Sequence, residues 1–414
     1  MDLPELNAAS VERAAEVLRP VVRRTPLFQS PRLSEDVGVP VLLKCEDQQL
    51  ARSYKVRGAY HLISGLSAAE HERGVVCASA GNHGQGVAYA CAALGIRGTV
   101  VVPQNTPRQK RRRIIALGNG LVDLVTTGSS YDEASAAAHE LAEASGAVYV
   151  HPFDDPRTIV GQGTVALELV EQAPDVKTVI VPIGGGGLIS GLAVWLKERH
   201  PHIRIVGAEP AGAASMTAAL AAGGPVALEE VDTFVDGAAV GLAGRLTYPI
   251  VRDLVDEVVT VSEGMVSTEM LELYQVEGVI AEPAGALACA AAKLIDVGEG
   301  PVVAIVSGGN NDVSRYAEIV ERSLLHEGLR HYFLVTFPQE PGALRHFLED
   351  VLIEGADIVL FEYVKKNNRE TGPALVGIEL DTAGDLQPLL DRMEMSPLTI
   401  ELVPPGSPVF TFLL

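Results

Sequence analysis

Four short segments carry residue types at spacings that suit imine chemistry and anion binding. The first is Ser53-Tyr54-Lys55-Val56-Arg57-Gly58-Ala59. A lysine between an aromatic residue and an Arg-Gly pair, just after a strand and opening a helix, is unusual for a structural position. Lysines on helix surfaces are common, so this segment alone does not separate a reactive amine from a solvated one. To form an imine a lysine must lose its proton, and partial burial lowers its pKa enough to allow that. The second is Ser79-Ala80-Gly81-Asn82-His83-Gly84-Gln85-Gly86, between a strand at 74–78 and a helix. Small residues let the backbone approach a ligand, and the N–H groups of a helix start attract a carboxylate or a phosphate. Asn82 offers a neutral amide to a phenolic oxygen, while His83 reads as a capping or packing residue before it reads as a chemical one.

The third is Gly184-Gly185-Gly186-Gly187-Leu188-Ile189-Ser190-Gly191, directly after a strand at 179–181. Four consecutive glycines exceed what a tight strand-to-helix turn needs, and they expose a run of N–H groups able to enclose a phosphate. No Gly-Lys-Ser/Thr follows, and the spacing is not that of a dinucleotide fingerprint. The fourth is Ser307-Gly308-Gly309-Asn310-Asn311, after a strand at 302–306. Its hydroxyl could exchange a hydrogen bond with a ring nitrogen, although alone it is an ordinary polar turn.

The elements that must position these segments alternate. From about 40 to 325, short β-branched runs (41–44, 74–78, 99–102, 121–125, 178–181, 203–207, 258–261 and 302–306) are separated by helical stretches such as 85–94, 132–144, 159–171 and 265–276. This predicts an α/β fold of parallel-rich sheets covered by helices on both faces. Each segment then sits at the carboxyl end of a strand, where open α/β sheets bind ligands. A lysine, an amide, a phosphate cradle and a partner for a ring nitrogen make up a site for pyridoxal 5'-phosphate.

The pattern changes near 326–328. A strand at 330–337, a helix opened by Pro341-Gly342-Ala343 and running to about 352, strands at 357–364 and 374–380, a helix at 386–395 and a terminal strand at 409–414 follow in ferredoxin-like order. We place the domain boundary between 327 and 328, in keeping with a length of 414 residues that exceeds one compact core. The formal net charge of −21 argues against general affinity for nucleic acid or anionic membrane. One basic run, Pro107-Arg108-Gln109-Lys110-Arg111-Arg112-Arg113, stands alone in this acidic chain and reads as a solvated helix face. No apolar run approaches a membrane span, and residues 1–20 read as a capped amphipathic helix, so a cytoplasmic location is expected. Cys45, Cys77, Cys91 and Cys289 show no paired spacing, which predicts reduced, half-buried thiols and no metal site.

On these residues the sequence resembles the fold-type II pyridoxal-phosphate enzymes, and within them the biosynthetic threonine dehydratases. The resemblance rests on 53–59, 79–88, 184–191, Glu282-Pro283-Ala284-Gly285-Ala286 and 307–310, in family order across about 10–325. It implies a two-lobed, tryptophan synthase beta-like fold, with a smaller mobile lobe at about 50–150 and the cofactor between the lobes. By motif, Lys55 resembles the Schiff-base lysine and Asn82 the partner of the phenolic oxygen. Gly184, Gly185, Gly186, Gly187 and Leu188 resemble the phosphate loop, and Ser307 the residue facing the pyridine nitrogen. The turn Ser79, Ala80, Gly81, Asn82 and His83 resembles the loop that holds the substrate carboxylate; Glu282 belongs to a motif near ring and substrate, its role open. A neutral serine at the ring nitrogen would not hold the pyridine protonated, which favours elimination over transamination.

The stretch Arg330-His331-Tyr332-Phe333-Leu334-Val335-Thr336-Phe337-Pro338-Gln339-Glu340-Pro341-Gly342-Ala343-Leu344 resembles the opening of the ACT-like regulatory domain of threonine dehydratases. It implies a branched-chain amino acid (isoleucine or valine) as effector, although only one such unit fits where some members carry two. The family further implies conversion of L-threonine, and secondarily L-serine, to the 2-oxo acid and ammonia as the first step of isoleucine biosynthesis, by a homotetramer. Catabolic threonine/serine dehydratases and serine racemases of the same fold are the alternatives. Racemases place a second serine where Ala80 stands, and Glu209-Pro210 is followed by Ala211-Gly212-Ala213-Ala214 without the aspartate of their metal site. A non-catalytic amino-acid sensor is disfavoured by intact Lys55, Asn82, glycine loop and Ser307.

Overall fold

The structure is a computed structural model describing residues 5–363, 370–404, 407 and 410. It divides into two compact units, Met1–Asp312 and Val313–Leu414. The first unit contains β1 (Leu27–Ser30), β2 (Val41–Cys45), β3 (Val75–Ala78), β4 (Gly98–Val102), β5 (Val122–Thr126), β6 (Val148–Tyr149), β7 (Thr178–Pro182), β8 (Arg204–Pro210), β9 (Glu257–Val261) and β10 (Val302–Val306). A six-stranded sheet runs β1-β2-β10-β7-β8-β9 and a four-stranded sheet β5-β4-β3-β6. Every pairing is parallel except β1 against β2. The smaller sheet, β3 to β6, is an insertion between β2 and β7 of the larger one. Strands β7 and β10 are buried along their whole length, as parallel strands covered on both faces must be. All four cysteines are fully buried thiols rather than half-buried ones.

Glycine contacts between helices decide where the lysine segment sits. Helix Lys55–Ser64 meets helix Pro156–Gln172 at Gly58 and Gly161, where a Cβ added to Gly161 would stand 2.8 Å from the Gly58 Cα. Helix Pro156–Gln172 in turn meets helix Gly187–Arg199 at Gly163 and Gly191. A Cβ on Gly191 would stand 2.3 Å from the Ile159 carbonyl oxygen and 2.6 Å from the Gly163 nitrogen. Backbone thus packs on backbone, and the helix that follows the glycine loop is held to the one that opens on Lys55.

A buried ion network makes the same connection through side chains. Arg57 donates from Nε and Nη2 to the two oxygens of Glu46, both at 2.8 Å, and from Nη1 to Glu168 at 2.8 Å. Lys44 on β2 donates to Glu168 at 2.7 Å and to Gln172 at 2.9 Å, while the Thr25 hydroxyl completes Glu46 at 2.7 Å. Burial pushes the Glu46 carboxyl up, but attraction and hydrogen bonding to Arg57 outweigh it and leave the group below its usual range.

The second unit is helix Tyr316–His326 followed by β11 (Arg330–Pro338), helix Ala343–His346 running on through the wide turn Phe347–Val351, β12 (Asp357–Tyr363), β13 (Thr371–Glu379), helix Leu386–Met395 and β14 (Thr399–Leu402). Its antiparallel sheet runs β12-β13-β11-β14, the ferredoxin-like arrangement, over a core containing Phe333, Phe347, Val376, Ile378 and Leu389. Two details differ from the sequence reading. The unit starts at Val313 rather than 328, because Tyr332 and Arg330 of β11 bond to Glu321 on the preceding helix. Among the described residues the last strand is Thr399–Leu402, which pairs with β11 from Thr336 to Phe333; of the strand expected at 409–414 only Phe410 lies within the described residues.

The glycine contacts are testable. Gly191→Ala should lower the unfolding free energy by about 1–3 kcal/mol, since the atoms its methyl meets are main chain and cannot rotate away. Denaturant titration followed by circular dichroism reads this, and an unchanged midpoint would show that the helices can part without cost.

Candidate active site

Lys55 opens its helix directly after the turn from β2, with Tyr54 as N-cap. The Tyr54 N–H donates to the Ser307 carbonyl at 3.2 Å, and Ser53 forms an isolated antiparallel bridge with Gly308. The segment that delivers the lysine is therefore stitched to the end of β10. Lys55 Nζ donates to the Pro152 carbonyl at 3.0 Å and stands 5.3 Å from the centre of the Tyr54 ring. Burial lowers its pKa to about 8, against a smaller upward pull from Glu282. An amine in that range is neutral in roughly a tenth of molecules at pH 7, far more than an ordinary lysine, and neutral is the state a nucleophile needs.

Pro152 leads to Phe153, whose ring covers the glycine loop. A Cβ on Gly185 would stand 2.4 Å from that ring, and one on Gly187 2.8 Å from the Phe153 Cβ. Gly186 has φ +89°, a left-handed conformation, and caps the 13-residue helix Gly187–Arg199. The loop is pinned from outside by Thr247, whose hydroxyl donates to the Gly185 carbonyl at 2.6 Å. The stretch around Thr247 is itself held by Asp154, which accepts the Arg245 and Leu246 N–H groups at 2.9 and 2.8 Å. Gly184 lies against Ala238, where a Cβ would be 3.1 Å from the Ala238 Cα. Leu188 follows on the first turn, which by geometry has N–H groups without intrahelical partners.

Asn82 starts helix Asn82–Leu94 at the end of β3. Its Nδ2 donates to Glu282 Oε1, and its Oδ1 accepts from Asn310 Nδ2 at 2.7 Å, which settles the orientation of the amide. Glu282 caps helix Pro283–Ala291 and is raised to about 7, by burial first and repulsion from Asp236 second. Gly308 fits beneath this group: a Cβ there would be 2.3 Å from Glu282 Oε1. Ser307 is buried, and its hydroxyl donates to the Ala284 carbonyl at 3.0 Å.

The turn before Asn82 is compact, with the Ser79 hydroxyl accepting the Gly81 N–H at 3.2 Å and Ala80 and Gly81 half-buried. A Cβ on Gly86 would be 3.1 Å from the Val56 nitrogen, so this helix packs on the lysine's own backbone. His83 is buried, its Nε2 donating to the Val150 carbonyl at 2.7 Å. Burial, then repulsion from Lys55, lowers its pKa to about 3, so the ring is neutral.

The four segments thus converge through Lys55, Pro152, Phe153 and Gly185 on one side, and through Asn82, Glu282, Gly308 and Ser307 on the other. Three contributors have no sign in the sequence segments above, the Pro152 carbonyl, the Phe153 ring and Thr247, while Asn310 lies in the fourth segment and gains its role, holding Asn82, from the structure. A signal for the first two existed, since His151-Pro152-Phe153-Asp154-Asp155-Pro156 also lies between a strand end and a helix start. The donor set suits pyridoxal phosphate: an amine of lowered pKa, a glycine cradle at a helix start, a fixed amide and a neutral hydroxyl.

Comparison with known proteins agrees with this chemistry. The family described as pyridoxal-phosphate dependent enzyme matches residues 18–308, and the C-terminal regulatory domain of threonine dehydratase matches 321–413. The biosynthetic L-threonine dehydratase of Mycobacterium tuberculosis is 57% identical, over 99% of this chain and 96% of its own length. That of Bacillus subtilis is 47% identical, over 95% and 94%. Among solved structures, the processed threonine deaminase isoform 2 of Solanum lycopersicum superposes with a TM-score of 0.73 at 39% identity, covering 77% of this chain and 87% of that one. Maize serine racemase gives 0.72 at 37%, covering 77% and 98%. The chain belongs to the pyridoxal-phosphate-dependent enzyme family and carries the regulatory domain of threonine dehydratases at its C-terminus.

Proposed function

We propose that this protein is a threonine ammonia-lyase, converting L-threonine to 2-oxobutanoate and ammonia as the first step of isoleucine biosynthesis, with L-serine as a secondary substrate. The observation that carries the chemistry is the Lys55 amine, of lowered pKa and on a segment bonded to Ser307. The substrate is supported by relatives called threonine dehydratase that match along nearly the full chain.

Pyridoxal 5'-phosphate, when bound, supplies the electron sink that acidifies the α-proton of an amino acid. The N–H groups of Gly184, Gly185, Gly186, Gly187 and Leu188 would hold its phosphate, Asn82 its phenolic oxygen, Ser307 its pyridine nitrogen and Lys55 its carbonyl carbon. The turn Ser79, Ala80, Gly81, Asn82 and His83 would bind the substrate carboxylate at the start of helix Asn82–Leu94. Lys55 Nζ would be the base that takes the α-proton of the bound amino acid. The β-hydroxyl then leaves with a proton as water, and the released enamine hydrolyses to the oxo acid and ammonia.

Ala80 carries no group able to exchange a proton on the opposite face of the substrate, which favours elimination over racemisation. Glu209 accepts from the Met216 and Thr217 N–H groups and the Thr217 hydroxyl, each at 2.7 Å, so its oxygens already serve a helix start. Both points weigh against a serine racemase and its metal site. The regulatory domain supports control by isoleucine and valine, and the family resemblance supports a cytoplasmic homotetramer.

Lys55→Ala should keep its fold and lose threonine turnover by at least about 10²-fold. Borohydride should fix the cofactor on Lys55 in the wild type, and peptide mapping that finds the label on a different lysine overturns the assignment. In the cofactor-free protein the neutral amine predominates above pH about 8, so the rate of covalent cofactor capture should rise through that pH and level off beyond it. A rate still climbing up to the ordinary lysine range near pH 10.4 would show that burial does not tune this amine.

Isoleucine should inhibit through the unit that starts at Val313. Linkage requires that saturating threonine weaken isoleucine binding by the factor that isoleucine weakens threonine binding. Titration calorimetry on the full chain, alongside kinetics of a chain ending at Asp312, reads both. An active truncated chain as sensitive to isoleucine as the full one would refute regulation through this unit.

A further inference from the structure

The basic run that reads in sequence as a solvated helix face lies on helix Arg108–Gly118, and it faces a cavity. Arg108, Lys110, Arg112 and Arg113 line a space of about 720 Å³, opposite Arg52 and residues 309–312. Of these cations Lys110 is paired, with Asp236 at 2.5 Å. Arg108, Arg112 and Arg113 make no ion pair among the described residues, and Asp312 is the one carboxylate in the lining. Arg108 and Arg112 are one turn apart, as are Lys110 and Arg113 by three residues, spacings at which like charges repel. In a chain of net charge −21, this concentration of cations around a concavity focuses an attractive potential on anions.

A second observation points to a ligand. Gln85 also lines the cavity; it is only 2% exposed, and its Oε1 is an acceptor without a donor, which a hydroxyl or protonated oxygen of a ligand would fill. Asn310 Nδ2 already donates to the Ala51 carbonyl and to Asn82, and Asn311 Nδ2 to the Ala281 carbonyl, so the donors left for oxygen-rich anions are chiefly the guanidinium forks. No aromatic side chain lines the space, so it offers no stacking platform for a base or ring. We propose that this cavity is a binding site for a compact, multiply charged small anion, bearing adjoining phosphates or carboxylates, distinct from the glycine loop.

Its walls come from both sheets of the first unit. Helix Arg108–Gly118 packs beside β5, whereas Arg52 and residues 309–312 follow β2 and β10 of the larger sheet. An anion here bridges the two. Asn310, in the lining, is also the donor that fixes Asn82, and Gln85 lies one turn beyond Asn82 on the same helix. Occupancy is therefore coupled to the placement of Asn82, and by linkage substrate binding must act back on anion affinity.

The test titrates holoenzyme saturated with pyridoxal phosphate, so that the glycine loop is filled, with inorganic pyrophosphate and separately with citrate. Calorimetry at low ionic strength should show one saturable site per chain, weakening as salt is added. Binding of pyrophosphate alone identifies phosphate-bearing ligands, and binding of citrate identifies polycarboxylates. The triple substitution Arg108→Ala, Arg112→Ala and Arg113→Ala should weaken that binding at least tenfold. Arg112→Lys, which keeps the charge, should stay within a few-fold, and turnover without added anion should be unchanged in both. Absence of saturable heat with either anion, or wild-type affinity in the triple variant, overturns the proposal. Because the readout is binding, the result stands apart from whether threonine is the substrate.

Discussion

The close approach of three helix backbones is the constraint on which the site depends. Gly58 against Gly161, and Gly163 against Gly191, bring the helix opened by Lys55 and the helix opened by the glycine loop onto the two sides of helix Pro156–Gln172. Side chains at these positions would push the axes apart by more than the tolerance of a bond between Lys55 and its surroundings. The distance between an amine and an anion cradle is thus set by main-chain contact, which flexes less than side-chain packing does. Phe153 extends the same logic, since its ring occupies the volume that a side chain at Gly185 or Gly187 would take.

The ion network around Arg57 adds specificity rather than gross stability. Burying Arg57, Glu46 and Lys44 costs desolvation that a hydrophobic set of the same shape would avoid. What the network supplies is register: Arg57 sits two residues from Lys55 on the same helix, and its fork fits the Glu46 carboxylate bidentately. A slip of that helix by one residue would leave several charges buried and unpaired, an outcome far costlier than the intact network.

The parts of this site legible in the sequence were those whose side chains, or lack of them, make sense only in one chemistry. Gly184 to Gly187 are more glycines than a turn requires, and Lys55 stands in a context that a surface lysine does not need. The structure adds that each of those glycines also fits against a named neighbour, such as Ala238, Phe153 or Met216. The Pro152 carbonyl was invisible because a main-chain acceptor has no residue signature. The division of strands between two sheets was equally hidden, since β3 and β7 are both short, buried and apolar and nothing local tells which sheet each joins. At the C-terminus Thr399–Leu402 gives little signal in sequence, because its exposed positions are those of an edge strand. The basic run gives no sign in sequence of the wall it faces, because residues 309–312 lie far along the chain.

The proton balance of the site follows from these same placements. Burial drives Lys55 toward the neutral amine, whereas a full negative charge on Glu282 would restore the ammonium. The structure keeps that opposing charge partial: Glu282 is itself raised to about 7 by burial and by Asp236, so near neutrality it is ionised in only part of the population. His83, lowered to about 3, contributes no positive charge that would further depress the amine. Ser307 and Asn82 are neutral at any relevant pH. An amine near 8 and a carboxyl near 7, surrounded by groups that do not titrate between them, keep the site close to electrically neutral before any ligand enters. The strongest fixed attraction left for a phosphate is then the array of N–H groups at the start of helix Gly187–Arg199, a dipolar cradle that binds an anion without holding the lysine charged or discharged.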